Sequence, residues 1–244
     1  VFLADVKGDL SGMCKPGVDS ENMQERINRF GLSELGFAYR EFPTVFWDIY
    51  GKGGIPLRTT MSEMGPLLLS RLMELNDTQS ELLQIVFKIA DDEQLILTDT
   101  KDLKAMLNHV AENASEYTTS YGNIAKQSIN TILRAVVSLE AQGGESFFTE
   151  PGLNIADWFT TDNGIGTINV LDSRQLVQST TMYATFLLWM MSELFETLPE
   201  VVDLDKPRMV FFFDEAHLLF KDVPKAFIDK IEQVVKLIRS KGVG

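Results

Sequence analysis

Met209-Val210-Phe211-Phe212-Phe213-Asp214-Glu215 closes a five-residue apolar run with two adjacent carboxylates. A run of this kind, rich in β-branched or aromatic residues and too short for a stable helix, reads as a buried strand of a parallel sheet. The acidic pair then lies at the strand's carboxyl end, where open parallel sheets bind ligands. An aspartate there is a hard oxygen ligand suited to Mg2+, an ion that keeps part of its hydration shell. A glutamate beside it, within hydrogen-bond reach of a water, can orient or deprotonate that water. An arbitrary Asp-Glu pair more often ends a strand and caps the following turn. The apolar run ahead of Asp214 and Glu215 favours the metal and water reading.

Three other runs look alike: Val1 to Val6, Thr44 to Tyr50 and Thr167 to Leu171. Between the second and third lies a tract, about residues 61–145, with helical periodicity and little strand character. Asn76 can cap a helix carrying Leu82, Leu83, Val86 and Ile89, and the polar stretch Asp91 to Glu93 separates segments. A later helix carrying Ile132, Leu133, Val136 and Val137 stops at Gly143 and Gly144. After Pro151 a second strand-rich section begins, followed by a helix from about Gln175 to Leu198, ended by Pro199. The last helix has Asp222 as cap, Pro224 in its first turn, and Phe227, Ile228, Ile231, Val234, Val235 and Ile238 at helical spacing, with Gly242 at its end. Strands alternating with helices imply an α/β fold with a mostly parallel sheet. The expected organisation is a first part of the core over residues 1–60, a helical insertion over 61–145, and a second part over 146–244.

The 244 residues, 45% hydrophobic and 23% charged, place the chain among ordinary globular proteins. A formal net charge of -13 repels polyanions unless the basic groups gather on one surface, which excludes uniform coating of DNA. The single cysteine, Cys14, cannot form an internal disulfide; this fits a reducing, cytoplasmic compartment and an inert thiol. The most apolar run, Tyr183 to Met191 closed by Glu193, is shorter than the about 20 residues a membrane span needs and reads as a buried helix. Val1 to Val6 has neither a basic leader nor a cleavage signature, and the chain is expected to begin within a longer protein.

Asp5-Val6-Lys7-Gly8-Asp9 also follows the carboxyl end of a strand, so a parallel sheet can bring Asp5 and Asp9 to the edge that carries Asp214. The plainer alternative is a glycine turn with solvated charges. No segment has the form G-x-x-x-x-G-K-[ST], whose backbone N–H groups wrap phosphates. Gly51-Lys52-Gly53-Gly54 has the composition without the spacing or the terminal hydroxyl, and reads as a turn. A phosphate cradle must therefore come from outside this sequence, and G-x-x-x-x-G-K-[ST] within about 30 residues upstream of Val1 would complete the site. Ala216 and His217 extend the acidic pair to D-E-A-H, a string also seen in superfamily 2 helicases, where the histidine couples hydrolysis to movement of nucleic acid. That reading would require a second RecA-like lobe, which nothing here resembles. His217 as an ordinary polar loop residue stays open, and His109 lies on a helical face.

Taken together, V-F-L-A-D-V-K-G-D-L-S-G from Val1 to Gly12, D-E-A-H-L-L-F from Asp214 to Phe220, and I-R-S-K-G-V-G from Ile238 to Gly244 resemble the HerA-like helicase family. G-P-L-L-L-S-R-L from Gly65, Tyr121-Gly122-Asn123-Ile124, and Phe147-Phe148 before Glu150-Pro151 add to the likeness, which spans nearly the whole chain. The resemblance implies a RecA-like P-loop NTPase core of the FtsK-HerA superfamily, working as a self-assembled ring, usually a hexamer, with ATP and Mg2+ bound between neighbours. It makes Asp214 the metal-site aspartate and Glu215 the catalytic glutamate. It makes Asp5, Lys7, Gly8 and Asp9 the acidic loop beside the nucleotide, with Asp9 a second catalytic candidate. Relatives often carry D-x-H-G-E in that loop; here Lys7 stands for the histidine and Asp9 for the glutamate. Rings of this type also use a neighbour's arginine against the γ-phosphate. Arg134 and Arg239 are the candidates, with surface salt bridging as the plainer role of each.

The leading expectation is an ATP-driven motor of the DNA-translocase class. The alternative is a nucleotide-gated interaction or assembly module whose helical insertion binds a protein partner. On either reading residues 1–244 alone, without the phosphate cradle, are expected to show little or no ATPase activity. A coupled-enzyme assay of the isolated chain checks this, and magnesium-dependent turnover would contradict it.

Overall fold

The four apolar runs are neighbouring parallel strands of one sheet. In the computed structural model, which describes residues 1–201, 204–219 and 225–244, the strands are β1 (Phe2–Asp5), β2 (Thr44–Asp48), β3 (Ile55–Pro56), β4 (Thr161–Asp162), β5 (Ile165–Gly166), β6 (Ile168–Asp172) and β7 (Phe211–Phe213). Five of them form a parallel sheet in the order β3-β2-β6-β1-β7, while β4 and β5 make a separate antiparallel hairpin. All four residues of β1 are buried, as expected for a strand with a parallel neighbour on each side. Phe2, Leu3 and Ala4 pair with Asn169, Val170 and Leu171 on one side and with Phe211, Phe212 and Phe213 on the other. At the outer edge of β7, Met209 makes a parallel bridge to Val243, and the Gly244 N–H donates to the Met209 carbonyl at 2.9 Å.

From β1 the chain passes β6 to reach β2, and from β6 it passes β1 to reach β7. Right-handed crossovers that run in opposite directions lie on opposite faces of a sheet. The β1 and β6 carboxyl ends therefore flank the switch point, where α/β sheets open a crevice.

The helices are α1 (Glu21–Phe30), α2 (Met61–Leu72), α3 (Asp77–Asp92), α4 (Thr100–Glu112), α5 (Ala114–Tyr121), α6 (Lys126–Leu139), α7 (Glu145–Phe147), α8 (Thr180–Thr197) and α9 (Lys225–Ile238). Residues 61–139 hold five of them and none of the strands. Asn76 caps α3 in a reciprocal box with Gln79, at 3.0 and 3.1 Å, and Thr60 with Glu63 does the same for α2. The helical tract leaves and returns at one place, because Thr59 bridges Phe148. Leu82, Leu83, Val86 and Ile89 are buried as their spacing predicts, and so are Ile132 and Val136. Val137 and Val235 instead face solvent; Ile129 and Leu139 complete the buried stripe of α6.

Tyr183 to Met191 is buried all round, and Phe147 meets Phe186 and Trp189 edge to face where the tract meets α8. One apolar cluster thus runs from Phe2 and Leu171 in the sheet, through α8, to Leu107 and Ile132 in the tract. The helix α8 begins later than expected, since Leu176–Gln178 form a 3-10 turn and Ser179 is the cap. Neither α1, capped by Ser20 and ended by left-handed Gly31, nor β3 was signalled by the sequence pattern. Gly242 ends the last helical stretch at φ 78°. The expected cap Asp222 and first-turn Pro224 lie outside the described residues.

Leu83→Ala should cost about 2–5 kcal/mol of stability through lost burial and the cavity left behind, whereas Asn76→Ala should cost about 1 kcal/mol. Urea unfolding of both variants checks this, and equal costs would contradict it.

Candidate functional site

Each of the four main strands runs into an aspartate at its carboxyl end: Asp5 at the end of β1, Asp48 at the end of β2, Asp172 at the end of β6 and Asp214 directly after β7. Three are engaged by their own loops. Asp5, only 3% exposed, accepts the backbone N–H groups of Gly8 at 2.7 Å and Leu10 at 3.2 Å. Asp48 accepts those of Tyr50, Lys52 and Gly53 at 2.8, 2.7 and 2.9 Å. Asp172 receives the Arg174 guanidinium through Nε at 2.9 Å and Nη2 at 2.5 Å, a fork that holds the Asp172 carboxyl below the usual range. Asp214 makes no side-chain hydrogen bond or ion pair among the described residues.

The Asp48 contacts settle the geometry of the Gly51 to Gly54 turn. The Lys52 and Gly53 N–H groups point inward to the carboxylate and the Gly51 N–H to the Asp48 carbonyl, so these groups cannot wrap a phosphate.

Glu215, the next residue, sits at φ 51°, a left-handed conformation that costs a non-glycine residue on the order of 1 kcal/mol. Its two oxygens are engaged from both sides. Lys7 Nζ lies 2.8 Å from Oε1 and His217 Nδ1 lies 3.3 Å from Oε2. The hydrogen bond from Lys7 holds the Glu215 carboxyl below its ordinary range. In return Glu215, with Asp214 and Asp9 farther off, holds the Lys7 amine above its own. Lys7, Asp9 and Asp214 line the rim of an open cleft of about 480 Å³, floored by Leu3, Met13 and Phe212.

The turn at Gly8 is tight. Its φ is 79°, and a Cβ there would stand 2.8 Å from Arg174 Cδ. Arg174 therefore reaches from the β6 loop across the switch point and rests on the β1 loop.

Asp5, Lys7, Gly8, Asp9, Asp214, Glu215 and His217 thus share one rim of the sheet. Arg134 does not join them; it lies exposed on α6, bonded to Thr131 Oγ1 at 3.0 Å. Arg239 follows α9, whose 14 residues span about 21 Å. It stands next to the stretch Gly242 to Gly244 that pairs with the amino end of the Met209 run, at the opposite edge of the sheet. Asp48, Asp172 and Arg174 went unnoticed in the sequence. The signal for them was present in T-V-F-W-D and I-N-V-L-D, apolar runs that each end in aspartate, as F-L-A-D does.

Among the described residues, no three His, Cys, Asp or Glu side chains gather to hold a metal ion. An ion at Asp214 would have to take its remaining ligands from water and phosphate oxygens. This suits Mg2+, which is commonly bound by one or two carboxylates.

The family profile described as helicase HerA-like C-terminal matches residues 1–244, the whole chain. No curated protein matches it. The parallel sheet with its helices is consistent with the RecA-like α/β core of that family. No helix among the described residues is long and apolar enough to cross a membrane.

Gly8→Ala forces a side chain into the left-handed region and displaces Arg174, so it should lower stability by about 1–2 kcal/mol. Denaturant unfolding of this variant beside Gly12→Ala, where a Cβ meets nothing within 4 Å, checks the claim; equal losses would contradict it.

Proposed function

The chain belongs to the HerA-like C-terminal helicase family, and from that premise we propose that it forms the hydrolytic side of an ATP-driven motor acting on DNA. One observation carries the reading: of four strand-end aspartates on one rim, Asp214 alone has no hydrogen-bond or ion-pair partner among the described residues, and a backbone-strained glutamate follows it. Asp214 is the group that would hold hydrated Mg2+. ATP bound with that ion would supply the scissile phosphoanhydride and the oxygens that complete the metal's shell. Glu215 orients the attacking water and accepts its proton. Asp5 fixes the β1 loop through two backbone N–H groups, Gly8 permits its tight turn, and Asp9 and Lys7 border the cleft. His217 touches Glu215 and is the natural relay between the hydrolytic centre and the D-E-A-H turn.

Should Arg134 or Arg239 meet a γ-phosphate, it would do so from a neighbouring copy, with the nucleotide at the subunit interface of a ring. A net charge of -13 requires that DNA be met by a local basic surface contributed by such an assembly. A cytoplasmic protein is the matching setting.

In the full-length protein, Glu215→Gln should lower kcat by a factor of about 10²–10⁴, the usual contribution of a general base, while leaving Mg2+-ATP binding in place. Wild-type turnover should rise with added duplex DNA at low salt. Loss of turnover in Glu215→Gln without any DNA stimulation would turn the assignment to a nucleotide-gated assembly module. Unchanged turnover in Glu215→Gln would overturn the ATPase reading itself.

A further inference from the structure

The Lys7 ion pair draws Glu215 towards the β1 loop, and this bears on when the glutamate can act. A general base needs an oxygen aimed at the water whose proton it takes. Here Oε1 is engaged by the Lys7 ammonium at 2.8 Å and Oε2 faces His217 at 3.3 Å, while the backbone is held at φ 51°. Local strain of this kind persists where surrounding contacts hold it, and it gathers at sites that have two states.

We propose that Lys7 is a positioning residue that parks Glu215 away from the attacking water until the site closes around Mg2+-nucleotide. The proposal rests on the ATPase reading above. The pair suits a reversible latch because it is accessible: the Lys7 and Glu215 side chains are 59% and 31% exposed. Ion pairs open to solvent bias an equilibrium by no more than about fivefold. A nucleotide's phosphates, approaching Lys7 from the same cleft that Asp9 and Asp214 border, can outbid one carboxylate for the ammonium. Freed from Lys7, Glu215 can relax its backbone and turn an oxygen to the water. Lysine at this position gives the loop a long arm and a permanent charge with which to hold the glutamate.

Two measurements on the full-length protein test the latch. The first is zero-length carbodiimide cross-linking read by mass spectrometry. A Lys7–Glu215 amide should form in nucleotide-free protein and fall several-fold with Mg2+ and adenylyl imidodiphosphate. An absent cross-link, or one that the analogue leaves unchanged, would overturn the proposal.

The second compares kinetics of the wild type with Lys7→Met, Lys7→Arg and Glu215→Gln. Lys7→Met should raise basal kcat about two- to fivefold, which is the range an exposed ion pair allows, while KM rises because the phosphates lose the ammonium. Lys7→Arg, which keeps the ion pair, should raise kcat less than Lys7→Met does, and Lys7→Met should add nothing to kcat in the Glu215→Gln background. A lowered kcat in Lys7→Met, or an effect on kcat that survives Glu215→Gln, would show that Lys7 does not act by holding Glu215 back and would sink the latch. If Glu215→Gln abolishes turnover while Lys7→Met leaves kcat unmoved, the latch alone fails. If Glu215→Gln has no effect, the ATPase reading fails with it.

Discussion

The parallel pairing of β1 against β7 decides which loops of this protein can meet. Its register sets Phe2 opposite Phe211 and Ala4 opposite Phe213; carried one residue further, it brings Asp5 level with Asp214. The same register puts the Phe2 ring 5.1 Å from Phe211 and 4.7 Å from Trp158, in the apolar cluster beneath α8. A slip of one residue would turn Phe2 and Ala4 out of that core. Packing of the sheet and convergence of the acidic loops are therefore one constraint. The helical tract shares it, because the cluster that fixes β1 continues through Phe186 and Trp189 into α2–α6.

On that frame the chemistry follows from what each strand-end carboxylate already has. A carboxylate withdrawn from water needs donors, and the buried Asp5 and Asp48 and the partly buried Asp172 find them in the loops they begin. Those loops become rigid: the Gly51 to Gly54 turn closes on Asp48, and Arg174 is held by Asp172 where it can rest on Gly8. Asp214 differs because the chain after it turns sharply through left-handed Glu215 into the Ala216–Leu219 turn. No nearby backbone N–H is delivered to its carboxylate among the described residues. The strain at Glu215 and the openness of Asp214 thus have one origin in the local path of the chain, and Asp214 lines the cleft.

Much of this was legible in the sequence, for physical reasons. Strands buried in a parallel sheet must be apolar along their whole length, so V-F-L-A-D and M-V-F-F-F-D announced themselves, and capping residues such as Asn76 marked helix starts. The glycine-rich run at Gly51 was rightly set aside on spacing. What stayed hidden depends on contacts distant in sequence. The fork between Arg174 and Asp172 looks local, yet its consequence is across the switch point at Gly8. The Lys7 pair with Glu215 joins residues at opposite ends of the chain. The exposure of Val137 and Val235 shows the limit of periodicity, since a side chain just off an apolar stripe faces solvent however apolar it is. The short strand β3 carried too few residues to signal itself. Arg134 and Arg239 could be picked out by type, but only the fold shows that neither reaches the rim in its own chain.

The claim at the centre of this account is that the β1 and β7 loops face one metal ion. Fe2+ substituted for Mg2+ in the presence of ATP and ascorbate generates hydroxyl radicals at the bound ion and cuts the nearest backbone. In the full-length protein the cuts should map both to the Asp5 to Asp9 loop and to the neighbourhood of Asp214 and Glu215, and both should vanish together in Asp214→Asn. Cuts confined to other segments, or undiminished in Asp214→Asn, would contradict the account.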